Sequence, residues 1–176
     1  MNTNFIFKEL HIDAVDEILA EIDNLRSKIV SEPGKFRIID TESTLKALPL
    51  LNKWFKENNL DVKHIAYISC AANQIQEVHL DSGNNELALN FPVLNCENVV
   101  TDFFEYKEQN LTLKYTIGTN LPYLYYDITG MNIIASLNLK KPTILNIKMP
   151  HRVSNPTDLE RISISFRFIN DPWKLV

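Results

Sequence analysis

The chain holds four histidines, His11, His64, His79 and His151, and two of them stand where their neighbours could complete a metal site. The first context is Gln76-Glu77-Val78-His79-Leu80-Asp81-Ser82-Gly83. In an extended strand, residues i and i+2 point to the same face. His79 and Asp81 would therefore present an imidazole and a carboxylate side by side at a strand end, before a turn at Ser82-Gly83. One nitrogen and one oxygen ligand on one face is what a single segment can offer a facially bound cation. The second context is His151, which follows the strand-like run Thr143–Lys148 and precedes a loop, Asn155-Pro156-Thr157-Asp158. His11 lies in polar sequence before a helix and His64 opens a strand, so both read as surface or structural histidines.

Beyond His151 the chain reads Arg161-Ile162-Ser163-Ile164-Ser165-Phe166-Arg167-Phe168. Arginine and serine alternate with isoleucine and phenylalanine, so one strand face is apolar and the other carries two guanidinium groups and two hydroxyls. The polar face is either solvated or turned into a barrel. In the second case Arg161 and Ser163 form a carboxylate clamp, because arginine offers a two-pronged donor fork and serine one further donor.

The pattern His79-x-Asp81, then His151, then Arg161-x-Ser163 ten residues further on, resembles the Fe(II)/2-oxoglutarate-dependent oxygenases over residues 65–170. The resemblance implies a double-stranded β-helix (a jelly roll, cupin-like), with His79, Asp81 and His151 as metal ligands. It implies Fe(II) as the metal, and 2-oxoglutarate and O2 as cosubstrates. Two imidazoles and one carboxylate leave three adjacent coordination positions open. In the family the keto oxygen and C1 carboxylate of 2-oxoglutarate take two of them, and O2 takes the third. The activity implied is decarboxylation of 2-oxoglutarate to succinate and CO2, coupled to hydroxylation or oxidative demethylation of a small-molecule or peptidyl substrate. The retained Asp81 argues against halogenation, because the related halogenases place chloride where this carboxylate stands. Arg161 and Ser163 would meet the far carboxylate of 2-oxoglutarate. Asn90 and Tyr67 are further candidate contacts. Arg167 could act as a second clamp, since R-x-S-x-x-x-R also resembles the demethylases of alkylated bases. Asn146 could orient an iron ligand. The alternatives are a non-catalytic cupin-like protein that binds a metal or a small acid, and a β domain with no site. In the last case the two imidazoles would lie more than about 6 Å apart, too far to share an ion whose ligands sit about 2 Å from it.

The elements that must hold these residues are two helical patterns followed by many short strands. Residues 13–30 place Val15, Ile18, Leu19, Ile22, Leu25 and Ile29 at helical spacing, with Asp13 as the expected N-cap and Asp16 and Glu17 in the first turn. A second helix is expected over 44–58, with Pro49 near its first turn. Strands are expected at 63–70, 75–80, 86–90, 99–106, 111–117, 132–138, 143–148 and 161–169. The expected architecture is α+β and mainly β: one domain over 1–176, with a helical flank (1–60) on one side of a jelly-roll core (61–170). The segment 118–130 (GTNLPYLYYDITG) reads as a loop able to cover the site.

Composition sets the outer limits. The chain has 176 residues, 45% hydrophobic and 23% charged, with 4 glycines and 2 cysteines. This excludes a wholly disordered chain, a collagen and a disulfide scaffold. The net charge of −4 argues against general nucleic-acid binding. No run is long and apolar enough for a membrane helix, and no signal peptide is visible. The expectation is therefore a cytoplasmic protein with reduced thiols at Cys70 and Cys96. Oligomeric state is not readable. The charge is uneven: residues 61–140 hold 4 basic and 9 acidic groups, and 141–176 hold 6 and 3. The acidic segment carries Asp81 and the basic one carries the arginines of the expected clamp.

Overall fold

The computed structural model describes residues 5–27, 29, 33–81, 83–107, 111–116, 122–127 and 129–176. In chain order the elements are β1 (Phe7–Glu9), α1 (Val15–Arg26), β2 (Phe36–Ile39), α2 (Thr41–Ala47), α3 (Pro49–Glu57), β3 (Val62–Cys70), β4 (His79–Asp81), β5 (Leu87–Leu94), β6 (Val100–Phe104), β7 (Thr112–Tyr115), β8 (Pro122–Tyr125), β9 (Ile133–Asn138), β10 (Thr143–Asn146), β11 (His151–Ser154) and β12 (Arg161–Phe168). A short 3-10 turn at Trp173–Leu175 follows.

The strands form two antiparallel six-stranded sheets, ordered β1-β10-β5-β12-β3-β2 and β7-β8-β4-β11-β6-β9. Over β3–β6 and again over β9–β12 sequence neighbours alternate between the sheets, as they do in a double-stranded β-helix, while β1–β3 stay in the first sheet and β6–β9 in the second. The three helices cover the outer face of the first sheet. There Ile18, Ile22, Leu48, Leu51 and Phe55 bury against Ile65, Leu89, Phe91, Ile164, Phe166 and Phe168. A second core lies between the sheets and contains Ala88, Phe103, Leu137, Leu145, Ile147 and Met149. The two-faced pattern of β12 is thus resolved. Its isoleucines and phenylalanines face the helices, and its arginines and serines face the inside.

Local chemistry explains where elements differ from expectation. The helix expected over 44–58 is two helices. Proline disfavours the helical conformation in the residue before it, and Leu48, before Pro49, has φ −122° and ψ 62°. Asp40 caps α2 by accepting the Ser43 amide at 2.8 Å. Asp13 does not cap α1. Ala14 takes the N-cap position at φ 58°, with no side-chain cap bond. β5 runs on through Pro92, which has no N–H to give to β12, and the register shifts there, between Ile162 and Ser163. Of the expected covering segment 118–130, residues 122–125 form β8, and 118–121 and 128 lie outside the described residues. Cys70 and Cys96 are buried and free.

Candidate metal centre

The site is assembled where β4 and β11 lie side by side in the second sheet. His79 and His151 are direct cross-strand partners, and facing residues of an antiparallel pair project to one side. Their ring centroids are 4.5 Å apart. This overturns the reading in which the two imidazoles lie far apart. Asp81, two residues beyond His79, joins them. Its Oδ1 is 3.5 Å from His79 Nε2 and 4.0 Å from His151 Nε2. One donor atom from each of the three residues falls within 4.8 Å of the others.

Both imidazoles are oriented in the same way. His79 Nδ1 is 2.9 Å from the Glu77 carbonyl, and His151 Nδ1 is 2.9 Å from the Met149 carbonyl. A carbonyl can only accept, so each Nδ1 carries a proton and each Nε2 faces the centre, where the neutral imidazole offers its lone pair. Burial disfavours charge on His151, and His79 beside it adds to the effect, so its pKa falls to about 4. His79 is also penalised by burial, but the Asp81 hydrogen bond and charge outweigh this and its pKa rises. Burial works against ionised Asp81, yet His79, Arg167 and His151 together hold its carboxyl far below the usual range. The centre is thus a carboxylate with two Nε2 donors, a set suited to a divalent transition metal.

Two cations hold the acidic ligand. Arg167 donates to Asp81 Oδ2 at 2.6 Å and to Ser165 Oγ at 2.8 Å. Lys148 donates to the backbone carbonyls of Asp81 at 2.7 Å and Gly83 at 2.8 Å, fixing the end of β4. The Arg167 guanidinium, expected as a second cosubstrate clamp, is therefore engaged with Asp81.

From this point β12 leads away along the inner face. Ser165 pairs with Asn90 and Ser163 with Pro92 on β5, and Arg161 pairs with Cys70 on β3. Arg161, Ser163 and Asn90 are buried. Ser163 Oγ and Asn90 Oδ1 have no hydrogen-bond partner, and among the described residues no side chain or carbonyl accepts from the Arg161 guanidinium. Buried polar groups are normally satisfied; the Ser163 hydroxyl and the Arg161 guanidinium are donors that fit the oxygens of an added anion, whereas Asn90 Oδ1, an acceptor, calls for a donor. Tyr67 does not line it. As an odd-numbered neighbour of Ala66 and Ile68 it takes the opposite face, opposite Ile164, and packs in the helix-covered core. The expectation that it reaches a cosubstrate is corrected on that ground. Asn146 serves the turn before His151: its Oδ1 accepts the Lys148 amide and its Nδ2 donates to the Phe5 carbonyl.

Sequence reasoning missed four inner-face residues beside the centre. Tyr125 lies opposite His79 and Tyr123 opposite Asp81, Lys114 lies opposite Tyr123, and Glu77 bonds to Lys114 and Tyr123. Glu77 was findable, since the same i, i+2 rule that joins His79 to Asp81 extends back to it.

Fold and site together define the class, a double-stranded β-helix protein with a two-histidine, one-carboxylate triad. Solved structures that share the fold include both oxygenases and cupins, among the latter the oxalate decarboxylase of Bacillus subtilis, at 12% identity and TM-score 0.38, covering 81% of this chain and 27% of that one. One of the oxygenases is the non-heme alpha-ketoglutarate-dependent carbocyclase SnoK from nogalamycin biosynthesis, at 9% identity and TM-score 0.50, covering 90% of this chain and 76% of that one. Others are HygX from Streptomyces hygroscopicus, solved with nickel and 2-oxoglutarate bound (8%, TM-score 0.49, 91% and 80% covered), and a Pseudomonas putida prolyl-4-hydroxylase (13%, TM-score 0.46, 93% and 91% covered). At such identities the likeness is one of fold. No protein-family model matches the sequence, and no curated protein does. Among the described residues no helix is long and apolar enough to cross a membrane.

Proposed function

We propose that this protein is a non-heme iron oxygenase that couples 2-oxoglutarate decarboxylation to hydroxylation or oxidative demethylation of a small-molecule or peptidyl substrate. One observation carries the reading. The three donor atoms converge within 4.8 Å, and on the adjoining inner face two buried donors, the Ser163 hydroxyl and the Arg161 guanidinium, have no acceptor among the described residues.

His79, Asp81 and His151 would hold the metal, which when bound supplies O2 activation and a Lewis acid for the 2-oxo acid. The protein's own contributions follow from the geometry. The Glu77 and Met149 carbonyls keep both Nδ1 atoms protonated, so both Nε2 atoms point inward. Arg167 occupies Asp81 Oδ2, so Oδ1 is the oxygen Asp81 would offer a metal. Arg161 gives the fork for the distal carboxylate of 2-oxoglutarate, with Ser163 as a further donor. Asn90, opposite Ser165, lies between them and Arg167 along the register.

The test is turnover by purified protein with Fe(II), ascorbate, O2 and 2-oxoglutarate, read as succinate. The expected result is slow succinate formation without substrate and faster formation with it. His79→Ala should lose the metal. Arg161→Ala should keep it and bind 2-oxoglutarate at least about tenfold more weakly, as loss of a charge-assisted bond of roughly 1.5–3 kcal/mol requires. Absence of both 2-oxoglutarate binding and turnover would sink the proposal. Metal retained without turnover would identify a cupin-like binding protein instead.

A further inference from the structure

The inner face of the second sheet carries a cluster that metal and cosubstrate binding do not use. Lys114 Nζ lies 2.6 Å from Glu77 Oε1 and 3.8 Å from the centroid of the Tyr125 ring. The Tyr123 hydroxyl donates to Glu77 Oε2 at 3.1 Å. The Tyr123 ring meets His79 edge-on, with centroids 5.8 Å apart. Register puts Lys114, Tyr123 and Tyr125 on the side of the triad, since Tyr125 faces His79 across one ladder and Lys114 faces Tyr123 across the next, and Glu77 is tied to them by its bonds to Lys114 and Tyr123.

An ammonium over an aromatic face, with a carboxylate as counter-ion and a second ring closing the side, is the arrangement that recognises alkylammonium ligands. Here the protein fills it with its own side chain. Lys114 is on β7, the edge strand of its sheet, and its side chain is 35% exposed. A long, rotatable lysine can leave such a place at small structural cost, whereas the tyrosines are fixed on β8 beside the metal ligand and Glu77 stands two residues before His79. The surrounding segment is acidic, with 9 carboxylates against 4 basic residues over 61–140.

We propose that Glu77, Tyr123 and Tyr125 form a subsite for the ammonium group of an alkylamine substrate, and that Lys114 holds this subsite until the substrate displaces it. That the ligand is a substrate rests on the oxygenase reading above. An amine seated there is next to His79, so the carbons following its nitrogen are the ones presented to the metal. The amine can be free or the side chain of a lysine in a peptide.

The experiment measures binding of n-butylammonium, n-butyrate and a capped lysine tripeptide to the metal-loaded full chain, by ligand-observed NMR titration. Lys114→Met should tighten n-butylammonium by about fivefold or more, because the internal competitor is gone. Glu77→Gln and Tyr125→Leu should each weaken it by about tenfold, through loss of a charge-assisted bond or of the ring face. Both cations should bind, and the tighter of the two identifies the source of the amine. Equal n-butylammonium affinity in wild type and Lys114→Met would overturn the proposal. So would butyrate binding that disappears in Lys114→Met, since Lys114 would then be the ligand-binding group. Succinate formation is read on the same preparations. Amine binding without succinate counts against the oxygenase reading alone, and succinate without amine binding counts against this inference alone.

Discussion

Arg167 is the residue on which the electrostatics of the centre turn. Its guanidinium is the nearest cation to Asp81, at 2.6 Å. Removing one member of a buried pair strands the other charge, at a cost of roughly 3–5 kcal/mol for full burial. Asp81 keeps 27% of its side-chain exposure, so a smaller cost of about 2–3 kcal/mol is expected for Arg167→Ala. A divalent cation placed on the same carboxylate replaces the lost positive charge. Thermal unfolding should therefore show a lower melting temperature in the variant and a larger rise on adding Co(II) or Zn(II) than in wild type. A variant that melts like wild type without metal would show that the pair does not stabilise the fold. At this scale much of the site was legible in the sequence. The i, i+2 rule joins His79 to Asp81 and puts Arg161, Ser163, Ser165 and Arg167 on one face. The rule cannot say which partner a side chain chooses across 86 residues of chain, so the Arg167–Asp81 bond was not readable. Tyr67 failed for a related reason. Its own strand is amphipathic in composition on both faces, and only the register with β12 shows which face looks inward.

Strand β12 is the element through which the helical layer supports the site. Its inner residues serve the centre, and its outer residues Phe166 and Phe168 receive Phe55 of α3, at ring-centroid distances of 5.1 and 5.5 Å. Phe55 is buried, and truncating such a residue to alanine costs roughly 3–5 kcal/mol. Phe55→Ala should lower the urea midpoint accordingly and leave metal stoichiometry per folded molecule unchanged. Loss of metal binding by the folded fraction would mean that the helix layer also sets the triad geometry. The longer elements were readable because their patterns are local: α1 from its 3.6-residue spacing, β3 and β12 from alternation. Short strands β1, β2, β8 and β11 were not assigned as strands. Each has three or four residues, too few for a period, and each is specified by the neighbour it pairs with. β8 even opens with Pro122, which reads as a turn when its ladder is unseen.

At the scale of the molecule, the space between the sheets has an apolar part around Phe103 and Met149 and a polar lane along β12. His64 faces that lane, opposite Arg167. Burial, and then the positive charges of Arg167 and Lys63, push its pKa below the ordinary 6.5, with Asp81 opposing weakly. A histidine with a depressed folded pKa is neutral when folded and takes up a proton on unfolding. Its contribution is therefore complete above pH 6.5 and is lost as pH falls below that value. His151, also depressed, has the same sign, whereas His79, raised by Asp81, contributes stability at low pH that is lost as pH rises through its folded pKa. Absolute pH profiles thus mix opposing effects, and the contribution of His64 is best read as a difference. Glutamine keeps a hydrogen-bonding group at this position and cannot titrate. The melting temperature of wild type minus that of His64→Gln should fall steadily from about pH 7 to about pH 5.5 in metal-free protein. A difference that stays constant over that range would mean that His64 is as easily protonated in the fold as in the unfolded chain, and that the charge of Arg167 is spent wholly on Asp81.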